Sequence, residues 1–228
     1  MQDPVQQMKI EEKRRAVKVA EVQEKAREEF QEAVNEALPE SVKGGQALEL
    51  ALYPDERLKE RCAPVEKFGS ELRDLLQDMG YTMYLCGGVG LAGPQVGQLQ
   101  RMFVADWSGN KGKLIQVVNP EVLEVSPKND QQIEGCLSFP AVRVPVERPA
   151  AIRAHWWNER GQEVDLWLDG WAARIFLHEL DHLEGVTYLD RVSQFTRRQA
   201  LKKLGKVREK VDRDRRRGRR QKQKRNWR

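Results

Sequence analysis

The run Arg174-Ile-Phe-Leu-His-Glu-Leu-Asp-His-Leu-Glu-Gly185 constrains this 228-residue chain more than any other stretch. Its apolar positions read as a helix, yet it carries two of the chain's three histidines, His178 and His182, four residues apart. In a helix, positions i and i+4 lie one above the other, so both imidazoles project from one face with Glu179 beside them. His-Glu-x-x-His on a helix is a two-pronged clamp for a transition metal, with a carboxylate at hand to take a proton from water.

A metal site that hydrolyses takes three protein ligands and leaves one position for water. Metzincin-type proteases supply the third from a His six residues after the second, beyond an intervening Gly. Gly185 is present, but that sixth position is Tyr188. A Glu from a later helix has no counterpart, because Asp190 and a basic tail follow. His155 lies in an alternating run, Ala-Ile-Arg-Ala-His-Trp-Trp, that reads as a strand with ordinary neighbours. Cys136, in the polar, Gly-containing break Glu134-Gly-Cys-Leu-Ser138, is the better candidate.

Around these blocks the periodicity changes. Residues 53–65 read as an extended incoming segment, and residues 71–85 as an amphipathic helix with Leu72, Leu75, Leu76, Met79 and Met83 on one side. The glycines at 87, 88, 90 and 93 permit close approach of a ligand to the main chain. Strand-like runs follow at 102–106, 114–118, 122–125, 142–146, 151–157 and 164–167, separated by turn residues. Short strands joined by tight turns imply antiparallel sheets, and with the metal-motif helix at their centre the class is α+β.

Three blocks in order, Gly88-Val-Gly-Leu-Ala-Gly-Pro-Gln95, Glu134-Gly-Cys-Leu-Ser138 and His178-Glu-Leu-Asp-His182, resemble the peptide deformylases. The resemblance runs from about residue 53 to about residue 192. Gly170-Trp-Ala-Ala-Arg174 looks most like the organellar branch, while residues 134–140 suit bacterial or plastid members as well. It implies hydrolysis of N-formylmethionyl nascent chains to formate and a free amino terminus. Cys136, His178 and His182 would then hold a divalent ion, with water in the fourth position. Glu179 would act as general base and then acid, while Gln95 and the Leu137 N–H would stabilise the oxyanion. The implied metal is Fe2+, although one thiolate and two imidazoles also suit Zn2+, Ni2+ or Co2+. Val89 and Gly90 are expected to meet the peptide backbone. Trp171 and Ile175 share the helix face of His178 and are expected to line the methionine pocket. Glu134 and Arg148 are candidate partners behind the ligands. Two positions depart from the family's pattern. Leu177 stands where Gln is usual, removing a hydrogen-bonding side chain next to His178, and Gly93 stands for the usual Ala, loosening the backbone. A protease cutting internal bonds lacks its third ligand here, and a silent RNA-binding relative is disfavoured by the intact Cys136, His178, Glu179 and His182.

Net charge is informative only when divided. Residues 197–228 hold 17 Lys or Arg against 3 Asp or Glu, a balance of +14, which leaves −9 on residues 1–196. The chain is therefore read as three parts: a charged helical extension over 1–45, a catalytic unit over 46–196 and a basic tail over 197–228. In the extension Val19, Val22, Ala26, Phe30, Ala33 and Ala37 form a thin stripe, ended by Pro39 and Gly44-Gly45. The extension is too rich in Glu for a transit peptide, and a targeting segment is either already removed or was never there. In the tail Leu201, Leu204, Val207 and Val211 recur at helical spacing, and the run from Arg213 to Arg228 reads as a charged extension. For an enzyme of nascent chains, ribosomal RNA is the obvious polyanion partner. Three cysteines are too few for a disulfide framework, and no apolar run suits a membrane span. The expected compartment is reducing and not secretory: cytoplasm, mitochondrial matrix or plastid stroma. Cys62 and Cys86 read as small buried hydrophobes.

Overall fold

The computed structural model describes residues 38–109 and 112–225. The expected N-terminal helix falls, up to residue 37, outside these described residues. From there the chain makes a short 3-10 turn over Glu40–Val42, and Gly44 is left-handed.

Among the described residues, seven strands and three α-helices make the body. Strands β1 (Gly90–Ala92), β2 (Met102–Ala105), β3 (Ile115–Val125), β6 (Ala151–Trp157) and β7 (Glu163–Asp169) form one antiparallel sheet in that order. Strands β4 (Asn129–Gly135) and β5 (Arg143–Pro149) pair as a separate antiparallel ribbon. Helix α1 is Ser70–Leu85, α2 is Gly170–Leu183 and α3 is Gln194–Arg225. The class is α+β, as the turn-rich strand pattern implies.

Side-chain alternation decides the layers. On β2, Phe103 and Ala105 face α2 while Met102 and Val104 face α1, so all four are buried. Leu72, Leu76, Met79 and Met83 of α1 cover one side of the sheet. Phe176 of α2 fills the other, edge-on to Phe103 at 5.2 Å and tilted against Trp156 at 5.7 Å. Burying each such side chain stabilises the fold by about 1.5–3 kcal/mol. The opposite face of α2 looks toward the β4–β5 ribbon, so the helix lies between two sheets.

Several elements differ from the sequence expectation. The runs 114–118 and 122–125 are one strand, because register shifts between Val118 and Glu121 accommodate Pro120, which has no N–H for a ladder. At that irregularity Asn119 adopts φ +50° and its side chain bonds both backbone groups of Val65, at 2.8 and 2.9 Å. The incoming segment is not extended throughout, since Glu56–Lys59 forms a 3-10 turn capped by Asp55. The basic tail is helical to Arg225 rather than changing to an extension at residue 213. Its helix starts at Gln194, and Ala200 and Leu204 pack with Phe139, Val142, Val144 and Val146 of the body.

The end of α2 is pinned. Gly185 has φ +71°, and a Cβ there would lie 2.4 Å from the Lys59 carbonyl oxygen. The Cys62 N–H donates to the Leu183 carbonyl at 2.8 Å, satisfying one of the helix's last acceptors.

Candidate metal centre

Helical spacing stacks Arg174, His178 and His182 on one face of α2, and all three are buried. Cys136 follows directly on β4, whose pairing with β5 carries it over this face. The donor atoms of Cys136, His178 and His182 all lie within 4.8 Å of one another. Cys136 Sγ stands 3.2 Å from His182 Nε2. A tetrahedral site with usual metal–sulfur and metal–nitrogen bonds separates such atoms by about 3.5 Å, so the donors fit one ion after a small adjustment. His155 is elsewhere, edge-on to Trp157 on β6 at 4.8 Å.

His178 is oriented from behind, whereas His182 Nδ1 has no hydrogen-bond partner among the described residues. His178 Nδ1 lies 2.9 Å from Glu134 Oε2, which turns Nε2 toward the other donors. Glu134 and Arg148 do meet, through a two-pronged pair at 2.6 and 3.0 Å. Burial pushes Glu134 up, but hydrogen bonds from His178 and Arg148 outweigh it and bring the carboxyl down to about 2. Burial likewise opposes charge on His178, yet its bonds to Cys136 and Glu134 raise it to about 10. His182 is lowered by burial and then by the neighbouring His178 charge.

Glu179 is placed differently. Burial, foremost, raises its carboxyl to about 7, and Oε2 has no hydrogen-bond partner among the described residues. A buried carboxyl oxygen left unpaired beside three metal-type donors makes Glu179 a candidate for proton transfer. The carboxylate fits because β1 begins with glycine: a Cβ on Gly90 would lie 2.2 Å from Glu179 Oε1.

Gln95 is buried, and its Oε1 accepts the Ala92 N–H at 2.8 Å. That bond fixes the amide, leaving Nε2 to face Cys136 Sγ at 3.4 Å and Ser138 Oγ at 3.1 Å. Over the donors opens a cavity of about 440 Å³, whose walls include Val89, Gly90, Leu137, Trp171 and Ile175. Ile175 is buried in the wall, whereas Trp171 stands at the rim, 43% exposed.

Several details depart from expectation. Cys86 is exposed on the cavity wall, not buried, because α1 ends there and Gly87 at φ +67° turns the chain away. Gly93 does not loosen its turn. A Cβ there would lie 2.6 Å from the Gln98 carbonyl oxygen, so the turn closes on the bare α-carbon. Leu177 packs toward the core on the sheet side, away from the ligand face. Sequence reading missed Arg174, whose Nη1 donates to Glu134 Oε1 at 2.6 Å, and Asp181, which accepts from Arg148 at 2.9 Å. The signal for Arg174 was its place four residues before His178.

A family model for polypeptide deformylase matches residues 47–198. The chain belongs to the peptide deformylase family. The peptide deformylase of Thermotoga sp. (strain RQ2) is 44% identical over 155 residues, covering 68% of this chain and 93% of that protein. The crystal structure of a peptide deformylase from Legionella pneumophila is similar at a TM-score of 0.70 and 35% identity, covering 73% of this chain and 98% of that one. That of a peptide deformylase from Synechococcus elongatus, in complex with actinonin, gives 0.66 and 35%, with 71% and 88% covered. This deformylase is thus a metal-dependent hydrolase that removes the formyl group from the amino terminus of nascent peptides.

Proposed function

We propose that Cys136, His178 and His182 hold a single divalent ion, ferrous iron in the native enzyme, and that Glu179, Gln95 and Leu137 carry the proton transfers and charge stabilisation around it. The carrying observation is the convergence of three donor atoms within 4.8 Å of one another beside a buried carboxylate. When bound, the ion supplies a Lewis acid that makes water nucleophilic near neutral pH. Glu179 takes the proton of the attacking water and returns it to the leaving nitrogen. Gln95 serves the oxyanion because its carbonyl end is already engaged by Ala92, so only the N–H2 end is offered to the site. The Leu137 N–H is the second donor. These bonds accelerate the reaction only as far as they strengthen when the carbonyl oxygen gains charge.

Val89 and Gly90 run beside the peptide backbone, and Trp171 and Ile175 receive the methionine side chain. Residues 46–196 form the catalytic unit, flanked by the extension 1–45 and the tail 197–228. The excess of basic residues on the tail directs the enzyme to ribosomal RNA. Among the described residues no helix is long and apolar enough to cross a membrane. Cys62, Cys86 and Cys136 are free thiols, which suits a reducing compartment: cytoplasm, mitochondrial matrix or plastid stroma.

The test is anaerobic purification followed by metal analysis and formate release from formyl-Met-Ala-Ser. One iron per chain with formate produced is the expected result. Protein that holds no metal even when purified anaerobically, and releases no formate, sinks the proposal.

A further inference from the structure

The Cys136 strand and the histidine helix are far apart in sequence, and something must hold their spacing. Arg174 is placed to do so. From α2, one turn before His178, its guanidinium spans both strands of the ribbon. Nη1 donates to Glu134 Oε1 at 2.6 Å and to the Val146 carbonyl of β5 at 2.9 Å, and Nη2 donates to the Asp130 carbonyl of β4 at 2.7 Å. Three elements thus meet on one planar group, with Cys136 two residues past Glu134 and His178 bonded to that same carboxylate.

Its arrangement is a poor one for stability alone. Arg174 is 3% exposed, and its Nε has no partner among the described residues. A buried cation with an unpaired N–H costs desolvation that a close-packed apolar side chain would avoid. Arg148 already satisfies Glu134 through two bonds and reaches Asp181 as well. What Arg174 adds is a direct tie from the helix to the two strand carbonyls.

We infer that Arg174 is a positioning residue that sets the distance between the Cys136 thiolate and the two histidines, and so the strength and geometry of metal binding. The inference rests on the ligand assignment made above. Only a planar fork reaches a carboxylate and two carbonyls on different strands at once. A Lys at 174 keeps the charge on Glu134 but has no fork to span both strands.

The test uses the full chain reconstituted with Co2+, which N and S ligands accept and whose thiolate-to-cobalt absorption reports the Cys136 bond. Wild type is expected to bind one Co2+ with that band. Arg174→Met is expected to weaken Co2+ binding by about 10–100-fold, the usual cost of removing a partner behind a ligand, and to shift the band. Arg174→Lys should fall between the two, with KM for formyl-Met-Ala-Ser little changed. Should the Met variant fail to fold, the Lys variant carries the test, with weaker binding and a shifted band still expected. A folded variant with wild-type Co2+ affinity and an unshifted band overturns the role of Arg174. Absence of the band in wild type overturns the ligand assignment itself, and the inference with it.

Discussion

Helices α2 and α3 carry similar residue types and put them to opposite uses. Helix α2, 14 residues long, is enclosed by sheet on one side and ribbon on the other, and it buries Arg174, His178, Glu179, Asp181 and His182. Helix α3, 32 residues long, buries Ala200 and Leu204 among its described side chains, while Lys202, Lys203, Lys206, Arg208 and Lys210 face solvent. A buried charge needs partners, and most polar atoms of α2 find them, while Arg174 Nε, Glu179 Oε2 and His182 Nδ1 have none among the described residues. A solvated charge needs none. In α2 the charged residues are therefore held in a buried network, and in α3 they are left to solvent.

The sharpest break in this contrast is Glu179→Gln. It should lower formate release by about 10²–10⁴-fold with metal content unchanged, read by kcat and metal analysis. Retained activity would remove Glu179 from the chemistry. Next is Gly90→Ala, whose methyl group would lie 2.2 Å from Glu179 Oε1. Displacing the carboxylate by about 1 Å should reduce kcat by about 10²-fold, while circular dichroism stays native. Trp171→Ala, at the rim, should change preference at the first side chain by about 10-fold and leave metal content intact. Equal loss on all formyl-peptides with metal gone would show that Trp171 supports the fold instead.

On α3 the effects concern stability and partners. Leu204→Ala opens space in its apolar cluster and should cost about 2 kcal/mol, lowering Tm by about 4–8 °C. Activity per bound metal should not change. Deleting residues 205–228 should leave hydrolysis of a small formyl-peptide within about twofold yet weaken ribosome co-sedimentation. The lost binding should have depended on salt by about 0.7–0.9 log units per tenfold change for each phosphate contact. Unchanged sedimentation would leave the tail without an RNA role.

The metal helix was legible because spacing alone puts His178 and His182 on one face, and no tertiary fact is needed for that. Cys136 was legible only as a polar break, since nothing local says which way a loop thiol points. Strand β4 was not anticipated. Its inward row of Asp130, Gln132 and Glu134 is polar and resembles a loop, and it forms a strand because β5 pairs with it and Arg148 and Arg174 neutralise it. Strand β1 lay hidden among glycines, of which Gly90 leaves the space for Glu179. The continuity of β3 was obscured by Asn119-Pro120, whose local signal is a turn and whose actual setting is a bulge held by Val65. Local pattern thus placed the two histidines on one face, while long-range pairing settled the scaffold.

Gly185 leaves the helix end and the incoming segment touching where no methyl group fits, with the Cys62 amide bonded across the same junction. Separating the two would strip the Leu183 carbonyl, at the end of α2, of its Cys62 partner. Deuterium uptake at the Cys62 amide consequently reports, from outside the cavity, whether the histidine-bearing helix is intact.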